Sequence, residues 1–587
     1  MRQSNLSVHS ENILPIIKKW LYSDKDIFVR ELISNATDAI NKVKILQGEP
    51  FKISVSIDKS RKTITIADTG IGMTEEEVEK YIAQIAFSGA EEFVAKYKTE
   101  TAKDPIIGHF GLGFYSAYMV ASKVDINTLS YQDGAKPVFW SCDGSSSYSI
   151  GKGTRATRGT EIILTLDEQN QEYLEESKLK ELLLRYCHFM PFAIDLNDKA
   201  IGNKSPLWMK NPSDCTETEY LEFYRQLFPM EADPLFWVHL NVDYPFHLQG
   251  ILFFPKMQRR FEPQESTIKL FCNRVFVSDN CKEILPDYLT ILRGAIDSPD
   301  IPLNVSRSYL QVDQNVKQLS NHISKKISDR LSQLYKTDKE KYFAVWPDVE
   351  MIVKLGILQD EKFYDRIKEA LIWKNTEGAW VTLAEYCERA KEKKITYTNS
   401  DKSSPILQLY HEKKIEILIA PLPIDTAVIQ YLEDKMATPF QRIDGAVDLA
   451  LLDPAREKTE SSKIAAFIRA SLDDKNMEIE AKSFTSDQLP SLLVLDENQR
   501  RLRDYMTLTQ GKNSAFAAKK TFIVNTNNAL IQLIERLQNK RPDIAADIAK
   551  SVYDMALLSQ RELEPGDLEK VVLRQTQVLE KIGSLIV

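Results

Sequence analysis

Cysteine is scarce. The chain has six in 587 residues, with no CxxC pair and no Cys/His spacing of a zinc site. That excludes a disulfide scaffold and makes these thiols mostly buried, inert groups of a reducing, cytoplasmic compartment. A dominant charge sign is lacking too. The formal net charge is −8 with no long single-sign block, which excludes electrostatic binding of nucleic acid by the chain as a whole. No repeat with a period of about 20–50 residues occurs. The opening MRQSNLSVHSENILP has no apolar h-region, so no cleaved secretory signal is expected. Long hydrophobic runs are also missing. The nearest approach is PIIGHFGLGFYSAYMVAS, 18 uncharged positions at 105–122, near the lower length limit for a membrane span. Its three glycines, histidine, serines and tyrosines argue against insertion. No membrane association is expected.

What is present is ordinary globular material, 43% hydrophobic and 27% charged. The length implies three or four domains at roughly 150 residues each. Over residues 26–44, Phe28, Leu32, Ala36, Ala39 and Val43 recur at helical spacing. Ile53, Val55 and Ile57, then Ile64 and Ile66, alternate with polar residues around a DKSR turn, which predicts a hairpin. TEIILTL at 160–166 reads as a more buried strand. Helices set to one side of such strands predict an α+β sandwich, not a doubly wound parallel sheet. The polar DKAIGNKSP at 198–206 reads as a linker. Further on, 250–254 and 267–277 look like strands, 315–334 like a long helix, and 342–419 like a second αβ unit. Beyond about 471 the pattern is mainly helical. It closes on an amphipathic segment carrying Leu568, Val571, Val578, Leu579, Ile582 and Leu585, a good dimer element.

Four pieces carry chemistry. Glu31, Asn35 and Asp38 are four and seven residues apart, within about a 60° arc of one helix. Such a trio can be a solvated face. It can also be a wall where a carboxylate positions water and an amide oxygen reaches magnesium. Asp68 ends a strand before Gly70 and Gly72, and its carboxylate suits an exocyclic amine. Gly108, Gly111 and Gly113 precede a helical run, where backbone N–H groups can approach phosphate. This is neither a Walker A loop nor a dinucleotide fingerprint. Gly159-Thr160 opens the buried strand with a hydroxyl.

In this order, RELISNATDAI (30–40), ADTGIGMT (67–74), GHFGLGFYSAY (108–118) and RGTEI (158–162) resemble the four boxes of the ATPase superfamily of gyrase subunits, heat-shock chaperones, histidine kinases and mismatch-repair ATPases. PLWMKNPSD (206–214), GILFFPK (250–256), LFCNRVFVSD (270–279) and IPLNVSRSYLQ (301–311) are similar to the middle domain of the 90-kilodalton heat-shock chaperone family. TFIVNTNNALIQL (521–533) and IAKSVYDMALL (548–558) resemble its C-terminal dimerisation domain. The negative net charge and the middle segments argue against a DNA-acting relative, and the N-terminal position of the boxes against a histidine kinase.

The resemblance implies an α+β multidomain chain. Its expected parts are an N-terminal α/β-sandwich ATPase domain at 1–205, an αβ middle domain at 206–470 and a mainly helical dimerisation domain at 471–587. It implies ATP and Mg2+ as ligands, and a homodimeric clamp that binds non-native or partly folded clients. By resemblance, Asp68 receives the adenine amine with Gly72 and Thr160 in support, and Asn35 holds magnesium. Gly108, Gly111, Gly113 and Phe114 belong to the lid end around the phosphates. Glu31 activates water, and Asp38 and Met73 line the pocket. Arg307, with Asn304 and Gln311 beside it, reaches the γ-phosphate from the middle domain. The chain departs from the family pattern at Phe87, where a lysine is usual, and at Ala90, His109 and Ser308. It lacks a long acidic linker and ends in EKIGSLIV. Both features imply the bacterial form, without docking of helical-repeat co-chaperones on an acidic terminal pentapeptide.

Overall fold

The computed structural model describes residues 24–46, 50–84, 87, 107, 111–145, 147–202, 205–256, 267–279, 284–301, 314–390, 393–400, 404–445, 447–453, 462–472, 477–510, 520–560, 562–563 and 565–584. It divides into two compact units, residues 1–327 and 328–587.

Among the described residues, the first unit begins with helix α1, Ile27–Leu46, followed by the hairpin β1 (Ile53–Asp58) and β2 (Thr63–Asp68). A short helix α2, Glu75–Tyr81, precedes β3 (Ala121–Leu129), β4 (Val138–Cys142), β5 (Tyr148–Lys152) and β6 (Gly159–Leu166). Helix α3, Glu176–Cys187, leads to β7 (Ile194–Leu196) and β8 (Lys199–Ile201). The eight strands form one sheet in the order β5-β4-β3-β6-β2-β1-β7-β8, antiparallel except where β7 runs parallel to β1. The two-residue period of the strands gathers Val124 and Ile126, Ile162 and Leu164, and Ile64 and Ile66 on one face. Phe28, Leu32, Ile33, Ala36 and Ile40 of α1 share the core with them. Ser34 and Thr37 are tolerated inside this helix because their hydroxyls donate to the carbonyls of Arg30 and Ile33.

Two expectations change here. The polar stretch at 198–206 is not simply a linker: Asn197 and Asp198 form a left-handed turn at φ 49° and 61°, and Lys199–Ile201 is one of the sheet's two edge strands. The run at 267–277 is two strands, Thr267–Cys272 and Val275–Ser278. They are joined at Asn273-Arg274, both with positive φ. These two belong to a second, five-stranded sheet within residues 236–297. Asp297 steadies the turn by accepting the Arg274 N–H at 3.0 Å, and burial pushes its carboxyl up to about 6. Trp208 is fully buried, 5.0 Å from the Phe189 ring and 5.1 Å from that of Phe271. One apolar core therefore runs through both sheets.

The second unit holds a five-stranded sheet within residues 372–442 and a three-stranded sheet within 478–525. The mainly helical reading beyond 471 omitted this small sheet. The expected helix at 315–334 is realised as Gln314–Thr337. The last helix, Leu568–Gly583, buries Val571 and Val578. Leu568, Val572, Leu573 and Leu579 on it remain 50–70% exposed. Lys354 is fully buried, its ammonium 2.5 Å from both Glu350 and Asp425 and 4.0 Å from the centre of the Trp373 ring. Burial raises the Asp425 carboxyl despite that partner. Lys354→Met is expected to cost about 3–5 kcal/mol, because it strands a buried carboxylate. Denaturant unfolding checks this, and adding Asp425→Asn is expected to restore part of the loss.

Candidate functional site

The alternation that sends Ile64 and Ile66 into the core also sends Asp68 there, one step past the last isoleucine. On the neighbouring strands the same face ends in Thr160 and Thr128, which pair directly across β6 and β3. The apolar face thus closes on a polar row across three strands, all buried. Asp68 Oδ1 accepts the Gly70 N–H at 2.7 Å and the Thr160 N–H at 3.3 Å. Oδ2 is left as the available acceptor. Burial raises the Asp68 carboxyl to about 6, against the lowering effect of these two N–H groups and of Arg155. Arg155 Nη2 donates to the Asp68 carbonyl at 2.5 Å.

The loop after Asp68 packs on α1: the Ile71 N–H donates to the Ala39 carbonyl at 3.0 Å. Gly72 sits at φ +64°, and a Cβ there would lie 1.8 Å from the Leu129 carbonyl oxygen. Only glycine meets both conditions. Gly72→Ala must displace the end of β3 and is expected to weaken nucleotide binding more than tenfold in a calorimetric titration. Met73 is half-buried and its N–H donates to Thr128 Oγ1 at 3.0 Å. Thr74 then caps α2 with a reciprocal Thr74–Glu77 pair.

The wall on α1 is not a solvated face. Glu31 is 5% and Asp38 6% exposed, and Asn35 between them is half-buried. Glu31 Oε1 takes both Arg30 contacts, from Nε and Nη2, at 3.0 Å each. Its Oε2 lies toward Gly113, where an added Cβ would come within 2.7 Å. The glycine-rich segment therefore rests on this carboxylate. Asp38 does not simply line a pocket: its Oδ1 accepts the Ile107 N–H at 2.8 Å, tying α1 to the chain just ahead of the glycines. Burial pushes the Lys42 ammonium below its ordinary value, against the pull of Asp38 and Glu77.

Residues 113–119 form a 3₁₀ helix, not the α-helical run expected from the sequence. Phe114 is buried with its ring 5.9 Å from Trp140. Gly111, at φ +64°, lies against the Phe87 backbone. The Phe87 ring stacks on Tyr81 at 6.0 Å, and the Lys80 ammonium stands 5.3 Å from it. A cation is thus held close to the residue that replaces the usual lysine. Gly108, Asn304, Arg307 and Gln311 lie outside the described residues. So do the departures at Ala90, His109 and Ser308.

Of the residues singled out in the sequence, Glu31, Asn35, Asp38, Asp68, Gly72, Met73, Gly111, Gly113, Phe114 and Thr160 are among the described residues. Sequence reasoning missed Thr128, Arg155 and Ile107. Thr128 and Arg155 belong to no box, and Ile107 contributes only its backbone. Among the described residues no cluster of three or more His, Cys, Asp or Glu could hold a metal ion, and no helix is long and apolar enough to cross a membrane.

Residues 23–174 match the family described as histidine kinase-, DNA gyrase B- and HSP90-like ATPase, so this site lies in an ATPase domain. Residues 197–564 match the Hsp90 protein family. The chain is 39% identical to "Chaperone protein htpG" of Bacteroides fragilis (strain YCH46), over 96% of this chain and 88% of that protein. It is 38% identical to "Chaperone protein HtpG" of Porphyromonas gingivalis (strain ATCC BAA-308 / W83), over 97% and 89%. It is 30% identical to "TNF receptor-associated protein 1 homolog, mitochondrial" of Dictyostelium discoideum, over 98% and 85%. A match to the Hsp90 protein family over more than half of the chain, with relatives that align over nearly all of it, leads to one conclusion: the chain belongs to the Hsp90 protein family.

Proposed function

We propose that this protein is an ATP-dependent molecular chaperone, a homodimeric clamp that binds non-native or partly folded proteins and is cycled by ATP binding and hydrolysis in the cytoplasm. The observation that carries this reading is the pair of buried carboxylates, Asp68 on the sheet and Glu31 on α1, each anchored through one oxygen. Asp68 Oδ2 takes the adenine amine, supported by Thr160 and the close approach at Gly72. Glu31 orients the attacking water, and Gly108, Gly111, Gly113 and Phe114 belong to the segment around the phosphates.

Mg2+ suits this donor set. Asn35, half-buried on α1, would offer it an amide oxygen beside the phosphates of the nucleotide. The ion would neutralise phosphate charge there. Arg307 supplies a guanidinium to the γ-phosphate with Asn304 and Gln311 beside it, an interaction that contributes roughly 10³–10⁵ in rate where it operates. Coming from a different segment, it makes turnover conditional on closure. The segments follow the boundaries 1–205, 206–470 and 471–587. The exposed apolar side chains of Leu568–Gly583 support dimerisation through the last of these.

Steady-state ATP turnover, with mass and suppression of client aggregation measured on the same preparation, tests this function. A dimer that hydrolyses ATP and holds a heat-denatured protein in solution is expected. A folded protein without turnover overturns it.

A further inference from the structure

Thr128 is fully buried on β3, and three polar groups converge on its single hydroxyl oxygen. The Met73 N–H lies 3.0 Å away, the Gly159 carbonyl 3.1 Å and the Thr160 hydroxyl 3.0 Å. The first can only donate and the second can only accept. A threonine hydroxyl has one hydrogen. For all three contacts to be hydrogen bonds, that hydrogen must go to the Gly159 carbonyl. Thr160 must then be the donor to Thr128.

We infer that Thr128 is a specificity-positioning residue: by claiming the hydrogen of Thr160, it leaves the Thr160 hydroxyl only as an acceptor and so selects a 6-amino over a 6-oxo purine. The inference rests on the nucleotide reading of this site and extends it. Asp68 Oδ2, next along the polar row, is also an acceptor. Two fixed acceptors match an amino edge that donates. They oppose a carbonyl edge, which would leave buried lone pairs facing lone pairs. A threonine free to turn its hydrogen toward the ligand would tolerate either edge. Thr128 therefore acts without touching the base, through the direction in which Thr160 points its proton.

The test is calorimetric affinity for ADP and for inosine diphosphate, at pH 7.5 with magnesium. Wild type is expected to prefer ADP. Thr128→Val, which keeps the shape and removes the hydroxyl, is expected to narrow that preference about three- to tenfold. Thr128→Ser restores the hydroxyl and is expected to restore the preference. A merely structural role weakens both ligands by one factor, so an unchanged ratio in Thr128→Val overturns the inference, as does failure of serine to rescue it. If the valine variant does not fold, Thr128→Ala gives the same readout. Wild-type protein that bound no ADP would overturn the nucleotide reading itself, and this inference with it.

Discussion

Asp68→Asn is expected to lose nucleotide binding by at least about a hundredfold while gaining stability. Both effects follow from the two oxygens having separate tasks. Asparagine can keep its carbonyl oxygen on the Gly70 and Thr160 N–H groups. The amide nitrogen then replaces Oδ2 and presents hydrogens where the ligand's amine presents hydrogens too. A buried donor–donor meeting costs more than a missing bond. The stability effect has the opposite sign. A carboxyl raised from its ordinary 3.8 to about 6 by burial is a cost to the folded state wherever the group is ionised. That cost is present above about 6 and fades as pH falls toward 4. A neutral amide removes it, a gain on the order of 2 kcal/mol at neutral pH. Calorimetric titration and thermal unfolding of the ligand-free variant across pH 4–8 check both. Wild-type ADP affinity is likewise expected to fall as pH drops through about 6, because protonation replaces an acceptor with a donor. Normal ADP binding by the asparagine variant would refute the assignment.

Glu31→Ala is expected to bind ATP within about threefold of wild type and to lose at least about a hundredfold in turnover. A positioned base contributes roughly 10²–10⁴, and a group that acts only in the transition state changes kcat and leaves ground-state affinity alone. The geometry supports that division. Arg30 holds Oε1, and Oε2 is directed to the glycine-rich segment rather than to the Asp68 row. Glu31→Gln keeps the side-chain volume beside Arg30 and is expected to be equally slow, which separates chemistry from packing. A variant that lost affinity and turnover together would instead make Glu31 a binding residue. Single-turnover kinetics distinguishes the two.

The parts of this site legible in the sequence are those whose spacing is local. Glu31, Asn35 and Asp38 share a helix, so their face follows from periodicity alone. Asp68 follows from two isoleucines at strand period. Thr128 does not, because it is one ordinary position in an alternating strand. Its importance lies in a register that pairs it with Thr160, 32 residues away, and no local pattern encodes a register between separated strands. The edge strand at 199–201 was missed for a related reason: DKAIG carries turn residues. The turn itself lies at Asn197 and Asp198, the residue types that tolerate positive φ. The 3₁₀ helix at 113–119 presents the same residues as an α-helix would, and local spacing does not separate the two.

The Asp38–Ile107 bond has a consequence for how such a machine can be tuned. Glu31 and Asn35, the groups proposed to orient water and to hold magnesium, stand on one helix, so their mutual spacing is fixed by its rise. The same helix also moors the far end of the stretch between Phe87 and Ile107, whose near end is placed against Gly111. With Phe87 and Ile107 both held, the number of residues between them can change without shifting Glu31 or Asn35. Chain length between those two points and the spacing of the groups on the helix are thereby separately adjustable, the second by the turns of the helix itself.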